Sequence, residues 1–144
     1  MPLPSGLALN ASTGALVGRP ATSAAVDGVA TDYTFTVQAR DANGLVARKK
    51  EVIRIYPAPT VTITAPNGTV GVAYTGSVVG SAGSSPYAYA ITIGALPTGL
   101  SIHATTGAIS GTPTVAGSYT YSVRVTGDLG GATTTADTIV IAAA

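Results

Sequence analysis

The sequence predicts an all-β chain built from two copies of one β-sandwich unit, the first partial and the second complete. Three observations predict it. LPTGLSIHATTGAISGTPTVAGSYTYSVRV, from Leu96 to Val125, has an earlier counterpart in LPSGLALNASTGALVGRP, from Leu3 to Pro20, which resumes as DYTFTVQA from Asp32 to Ala39. The chain has 18 glycines and 9 prolines in 144 residues, and they fall between short alternating segments, as turns require. No segment shows a helical period with caps. A repeat of this length decides the architecture before propensity does.

The spacing also locates an insertion. Leu3, Gly6, Gly14, Gly18 and Pro20 match Leu96, Gly99, Gly107, Gly111 and Pro113, 93 positions on. Tyr33, Phe35, Val37, Ile53 and Ile55 match Tyr119, Tyr121, Val123, Ile139 and Ile141, 86 positions on. The difference, 93 − 86 = 7, is an insertion between Pro20 and Tyr33.

Residues 1 to 56 read as a partial unit of four strands, Leu7–Leu9, Ala15–Gly18, Tyr33–Asp41 and Leu45–Tyr56. A 12-residue Ala/Thr/Ser/Asp loop runs from Ala21 to Asp32. In the third strand Tyr33, Phe35, Val37 and Ala39 share the inward face, and Thr34, Thr36, Gln38 and Arg40 the outward one. Asp41-Ala42-Asn43-Gly44 carries the Asn-Gly hairpin signal. Arg48-Lys49-Lys50-Glu51 interrupts the last strand with charge, as an exposed edge does to resist unwanted pairing.

Pro57-Ala58-Pro59 is a short, stiff connector. It predicts two units stacked end to end with limited hinge motion.

Residues 57 to 144 read as a complete unit of seven strands. They are Val61–Thr64, Ala73–Val79, Tyr87–Ile93, Leu100–Ile102, Ala108–Gly111, Ser118–Thr126 and Thr133–Ile141. Leu96-Pro97-Thr98-Gly99 is a turn with proline second and glycine fourth, and Ala104–Gly107 is another. Tyr119, Tyr121, Val123 and Val125 are predicted to face inward with Leu100, Ile102, Ile109, Ile139 and Ile141. Three strands precede Leu96 in this copy and have no equivalent before Leu3. Tyr33, Phe35 and Val37 are therefore predicted to be partly uncovered, and the first unit to be completed by a partner.

The pattern LPxGLxxxxxTGxxxGxP, followed by the alternating YTYSVRV, resembles the immunoglobulin-like repeats of bacterial and phage surface proteins. Cadherin-like bacterial repeats are close relatives of these. The resemblance implies immunoglobulin-like β-sandwich repeats that serve as spacers, adhesion modules or virion ornaments. It covers nearly the whole chain.

Composition narrows the function classes. The net charge of +1 gives no general argument for nucleic acid. Before residue 57 there are six cations and four anions, 6 − 4 = +2; after it Arg124 stands against Asp128 and Asp137, 1 − 2 = −1. With no cysteine or tryptophan, disulfides and the Cys–Trp core of antibody-type domains are excluded. No apolar run approaches the roughly 20 residues of a membrane span. Met1-Pro-Leu-Pro has neither the basic start nor the apolar core of a signal peptide. Together with the resemblance, this leads to the expectation of a piece of a larger exported protein or a virion component.

Candidate chemistry is sparse. His103 is the only histidine, and catalysis would need a partner to orient it. Asp41 and Asn43 suggest a calcium loop by analogy with cadherin-like repeats, but Ca²⁺ takes six to eight oxygens. A hairpin turn explains both residues. Arg48, Lys49 and Lys50 could meet a polyanion, although alternate strand residues point to opposite faces. Tyr87 and Tyr89 share a face and could stack a sugar, or pack in the core of a central strand. Asn10 and Asn67 begin glycosylation sequons, which matter only in a eukaryotic secretory pathway. No phosphate-binding glycine loop, HExxH or GxSxG motif occurs.

The sequence therefore predicts a structural, non-enzymatic protein without cofactor, on a virion surface as a decoration or tail component. Its predicted partners are other protein subunits, copies of itself or a capsid or tail protein, with neither nucleic acid nor membrane. The predicted contact residues are Tyr33, Phe35, Val37, Arg48, Lys49 and Lys50. The alternative is a bacterial cell-surface adhesin that binds carbohydrate or a receptor.

Overall fold

The computed structural model describes residues 2–144, with Asp27 described by its backbone alone. It divides into two compact units, Met1–Pro57 and Ala58–Ala144.

The first unit holds two antiparallel hairpins. Strand β1 (Leu7–Leu9) pairs with β2 (Leu16–Gly18), and β3 (Thr31–Arg40) pairs with β4 (Val46–Ile55). The last strand, expected over Leu45–Tyr56, forms over Val46–Ile55 with the charged run inside it and largely exposed. Strand β4 is continuous, because in an antiparallel pair each charge finds a solvent face or an ion partner.

The insertion is more structured than a plain loop. It forms two 3-10 turns, Thr22–Ala24 and Val26–Gly28. Ala24 and Ala25 are buried, as are Pro4 and Phe35 of the same unit. The Tyr33 hydroxyl donates to the Ala24 carbonyl at 2.8 Å and holds the insertion over β3. Phe35 is only 9% exposed, where it was expected to be partly uncovered. Tyr33 and Val37 are half-buried, and Ala39, expected inward, is exposed.

The second unit has eight strands, one more than expected. They are β5 (Thr60–Thr64), β6 (Gly68–Thr69), β7 (Tyr74–Ser81), β8 (Tyr87–Gly94), β9 (Leu100–Ile102), β10 (Ala108–Gly111), β11 (Gly117–Gly127) and β12 (Ala132–Ala142). Two four-stranded sheets, in the orders β5-β7-β10-β9 and β6-β12-β11-β8, face each other. The additional strand, β6, lies parallel to the end of β12. It is two residues long, too short for a period-two pattern to reveal.

Val78, Ile109, Tyr121, Val123, Val125 and Ile139 are fully buried, and Tyr74, Tyr89 and Ile141 nearly so. Leu100, Ile102 and Tyr119 are partly buried against them. The inward set predicted from alternation thus forms the core. The turn before β9 sits one residue later than expected. Leu100 N–H donates to the Pro97 carbonyl, which places Gly99 third with φ 98°. That is the left-handed position of a type II turn, where glycine is favoured.

Strands β9, β10, β11 and β12 are the repeat counterparts of β1, β2, β3 and β4. The elements that complete the second sandwich, β5 through β8, have no counterpart among the described residues of the first unit. That is four elements, one more than the three strands expected.

Candidate functional site: the open hairpin of the first unit

Equivalent positions differ in burial. Leu16 of β2 is 44% exposed, whereas its counterpart Ile109 of β10 is 0% exposed. Both occupy the same register, Leu9↔Leu16 in one copy and Ile102↔Ile109 in the other. Ile109 lies in a core that includes Tyr74 and Val78 of β7 and Tyr89 of β8, strands without a counterpart among the described residues of the first unit. Along β3 the same contrast grows toward the hairpin tip. Val37 and Ala39 are half-buried and exposed, while their counterparts Val123 and Val125 are fully buried.

The edge of β3 is open as well. Strand β11 pairs with β12 on one side and β8 on the other. Strand β3 pairs with β4 alone among the described residues. Its other edge presents backbone donors and acceptors that no described strand meets.

The hairpin turn is held by Asp41. Its Oδ1 accepts from Asn43 N–H and Leu45 N–H, both at 2.9 Å. Gly44 N–H donates to the Asp41 carbonyl at 3.1 Å. One oxygen of the candidate calcium ligand is thereby committed to the turn, and Asn43 is a backbone donor to it. Among the described residues no three His, Cys, Asp or Glu side chains come together.

Period-two geometry sorts the charges. Across β3 and β4 the outward pairs are Asp32↔Arg54, Thr34↔Val52, Thr36↔Lys50, Gln38↔Arg48 and Arg40↔Val46. Arg54 clamps Asp32 through Nε at 2.6 Å and a second nitrogen at 3.0 Å. That bond holds the Asp32 carboxyl below its usual range and raises Arg54. Arg48 Nε donates to Gln38 Oε1 at 2.9 Å. Lys49 points to the other face and pairs with Glu51 at 2.6 Å, which raises its pKa.

Arg48 and Lys50 therefore share a face with Arg40 and Arg54, while Lys49 does not. The contributions of Asp32, Arg40 and Arg54 were not singled out from the sequence. Folding the two strands about the Asn-Gly turn and reading alternate residues would have found them.

The remaining candidates are accounted for inside the second unit. His103 lies in the turn after β9, and its Nδ1 accepts from Thr105 and Thr106 N–H at 3.3 Å. Tyr89 is buried, and its hydroxyl accepts from Gly80 N–H at 3.1 Å. The Tyr87 hydroxyl donates to the Ala82 carbonyl. The two rings are thus tied into the sandwich. Strand β8 is an edge strand of its sheet, where a central one was expected. Of the sequon residues, Asn10 Oδ1 accepts from Ser12 N–H and Asn67 Oδ1 accepts from Val140 N–H.

No curated protein matches the chain. Among solved structures it is similar to a putative alpha-galactosidase from Bacteroides fragilis, at 23% identity and a TM-score of 0.48 over 63% of this chain and 19% of that one. An endo-fucoidan hydrolase of glycoside hydrolase family 107 is 20% identical with a TM-score of 0.46, over 99% of this chain and 23% of that one. Extracellular cadherin domains of protocadherin gamma B7 are 10% identical with a TM-score of 0.44, over 79% of this chain and 40% of that one. The chain spans less than half the length of each. A family model described as Putative Ig domain matches twice, over residues 1–56 and 55–142. With both matches spanning nearly its whole length, the chain belongs to the Putative Ig domain family.

Proposed function

We propose that this chain is a structural, non-enzymatic component of a virion surface, a phage decoration or tail protein. Its first unit docks on a partner subunit through the β3–β4 hairpin, and its second unit is a complete sandwich. The observation that carries docking is the exposure of Ala39 and half-exposure of Val37 on β3, where their counterparts Val125 and Val123 are fully buried, together with the edge of β3 that has no partner strand among the described residues. Apolar surface left open in one copy and closed in the other is what a docking site requires. The non-enzymatic reading is supported by His103, whose Nδ1 is engaged by a turn rather than by a nucleophile or metal.

Mass spectrometry of purified phage particles, with immunogold labelling against residues 60–144, tests the reading. Stoichiometric chain on capsid or tail is the expected result. Absence from particles, together with saturable binding on a glycan array, would replace it with the adhesin reading.

A further inference from the structure

We propose that the open edge of β3 pairs antiparallel with the β3 of a second copy of this chain, about a two-fold axis through Thr36. The inference rests on the docking reading above and names the occupant.

The two edges of the hairpin differ in how they meet solvent. Strand β4 carries Arg48, Lys49, Lys50, Glu51 and Arg54, five charges in ten residues. Strand β3 carries no charge, proline or glycine from Tyr33 to Ala39. Charge and proline are what keep a free edge from pairing. The β4 edge is protected in this way and the β3 edge is not. The counterpart β11 is paired at the equivalent edge by β8.

The sequence of β3 is complementary to itself in one register. Residues directly opposite in an antiparallel pair share a face, so the two positions must sum to an even number. With the axis at Thr36 the sum is 72. Asp32 then faces Arg40 of the second copy, and Arg40 faces Asp32 of the second copy. Thr34 faces Gln38 on the polar side. On the apolar side Phe35 faces Val37, and the large Tyr33 faces the small Ala39. A sum of 70 places Asp32 opposite Gln38, and a sum of 74 places Arg40 opposite Thr34. Both shifts lose the charge pairing that 72 provides twice. Among the described residues Arg40 makes no ion pair within its own hairpin. The product is a four-stranded sheet, β4-β3-β3-β4, that covers Val37 and Ala39, the positions left open in the single chain.

The chain has no cysteine, so single thiols report the register directly. Directly opposed Cα atoms lie about 4.5–5.5 Å apart, within disulfide range. Thr36 is exposed, so Thr36→Cys should leave the fold intact, checked by circular dichroism. In the full-length chain under mild oxidation, Thr36→Cys is expected to form a covalent dimer. Thr34→Cys alone and Gln38→Cys alone are expected to stay monomeric, and their mixture to cross-link. A charge exchange gives an independent reading. Asp32→Arg with Arg54→Asp preserves the pair inside the hairpin but sets the introduced arginine against Arg40 of the second copy, and should weaken dimerisation at least tenfold. Adding Arg40→Asp should restore it.

A folded Thr36→Cys chain that stays monomeric, or Thr34→Cys linking to itself as readily, would overturn the second-copy occupant. If β3 amides are nevertheless protected from exchange in purified particles, the docking reading stands with a different partner. If they exchange freely there too, docking through this edge falls with it.

Discussion

His103 in the second copy occupies the position of Asn10 in the first, and its Nδ1 makes the bonds that Asn10 Oδ1 makes. Asn10 Oδ1 accepts from Ser12 and Thr13 N–H at 3.0 and 3.1 Å. His103 Nδ1 accepts from Thr105 and Thr106 N–H, both at 3.3 Å. The backbone closes identically, with Gly14 N–H on the Asn10 carbonyl and Gly107 N–H on the His103 carbonyl. The only histidine of the chain is thus a turn-holding acceptor. His103→Asn should leave the urea midpoint of the second unit unchanged or slightly raised. His103→Ala should lower stability by about 0.5–1.5 kcal/mol, the worth of one net hydrogen bond.

Equivalent valines should respond unequally. Val123 is fully buried between two four-stranded sheets, whereas Val37, in a two-stranded sheet, is only half-buried. Val123→Ala should cost about 1–3 kcal/mol through lost transfer energy and a residual cavity, and Val37→Ala under about 1 kcal/mol. Chemical denaturation of each variant checks the pair.

Two equivalent glycines report the same asymmetry through backbone space. Both are left-handed, Gly14 at φ 75° and Gly107 at φ 72°. A Cβ on Gly14 would meet nothing within 4 Å, whereas one on Gly107 would lie 2.0 Å from the Val78 carbonyl of β7. Gly14→Ala should cost about 1–2 kcal/mol for the backbone alone. Gly107→Ala should cost more, because β7 must also move. Equal penalties by thermal melting would contradict the packing described for β7.

Tyr121 sets an alkaline limit. Burial, followed by the nearby negative charge of Asp137, pushes its hydroxyl well above the usual tyrosine value of 10.0. The hydroxyl donates to Asp137 Oδ2 at 3.2 Å. Below that usual value the folded and unfolded chains both keep the proton, and this contribution to stability is complete. Above it the unfolded chain releases the proton first, so stability falls as pH rises. Tyr121→Phe should lower stability by about 0.5–1.5 kcal/mol at neutral pH and flatten the alkaline decline. The first copy already carries this exchange, with Phe35 opposite Glu51 where Tyr121 is opposite Asp137.

Much of the fold was legible because the repeat fixes it. Alternation from Tyr119 to Val125 gave the inward face, and the Asn-Gly dipeptide gave the β3–β4 turn. What escaped has no local pattern. Gly68 and Thr69 form a strand only because the end of β12 lies beside them. Ala24 is buried within the insertion, and the Tyr33 hydroxyl that donates to its carbonyl comes from nine residues further on. The first unit's open face was legible by subtraction. Its charged face was not, because Arg40 and Arg54 are 14 residues apart in sequence and come onto one face only when the hairpin closes. The equivalence of Asn10 and His103 was already available at the spacing of 93, and needed only the recognition that both side chains can accept two residues onward.

Hydrogen–deuterium exchange along β3 and β11 in the full-length chain tests most directly whether the first unit is an incomplete sandwich whose β3 edge is a docking strand. In dilute chain shown to be monomeric, amides of β3 that do not bond to β4 should exchange rapidly, while those of β11 stay protected. Raising the concentration until the chain self-associates should protect them. Protection of all β3 amides in a proven monomer, equal to that of β11, would contradict the account.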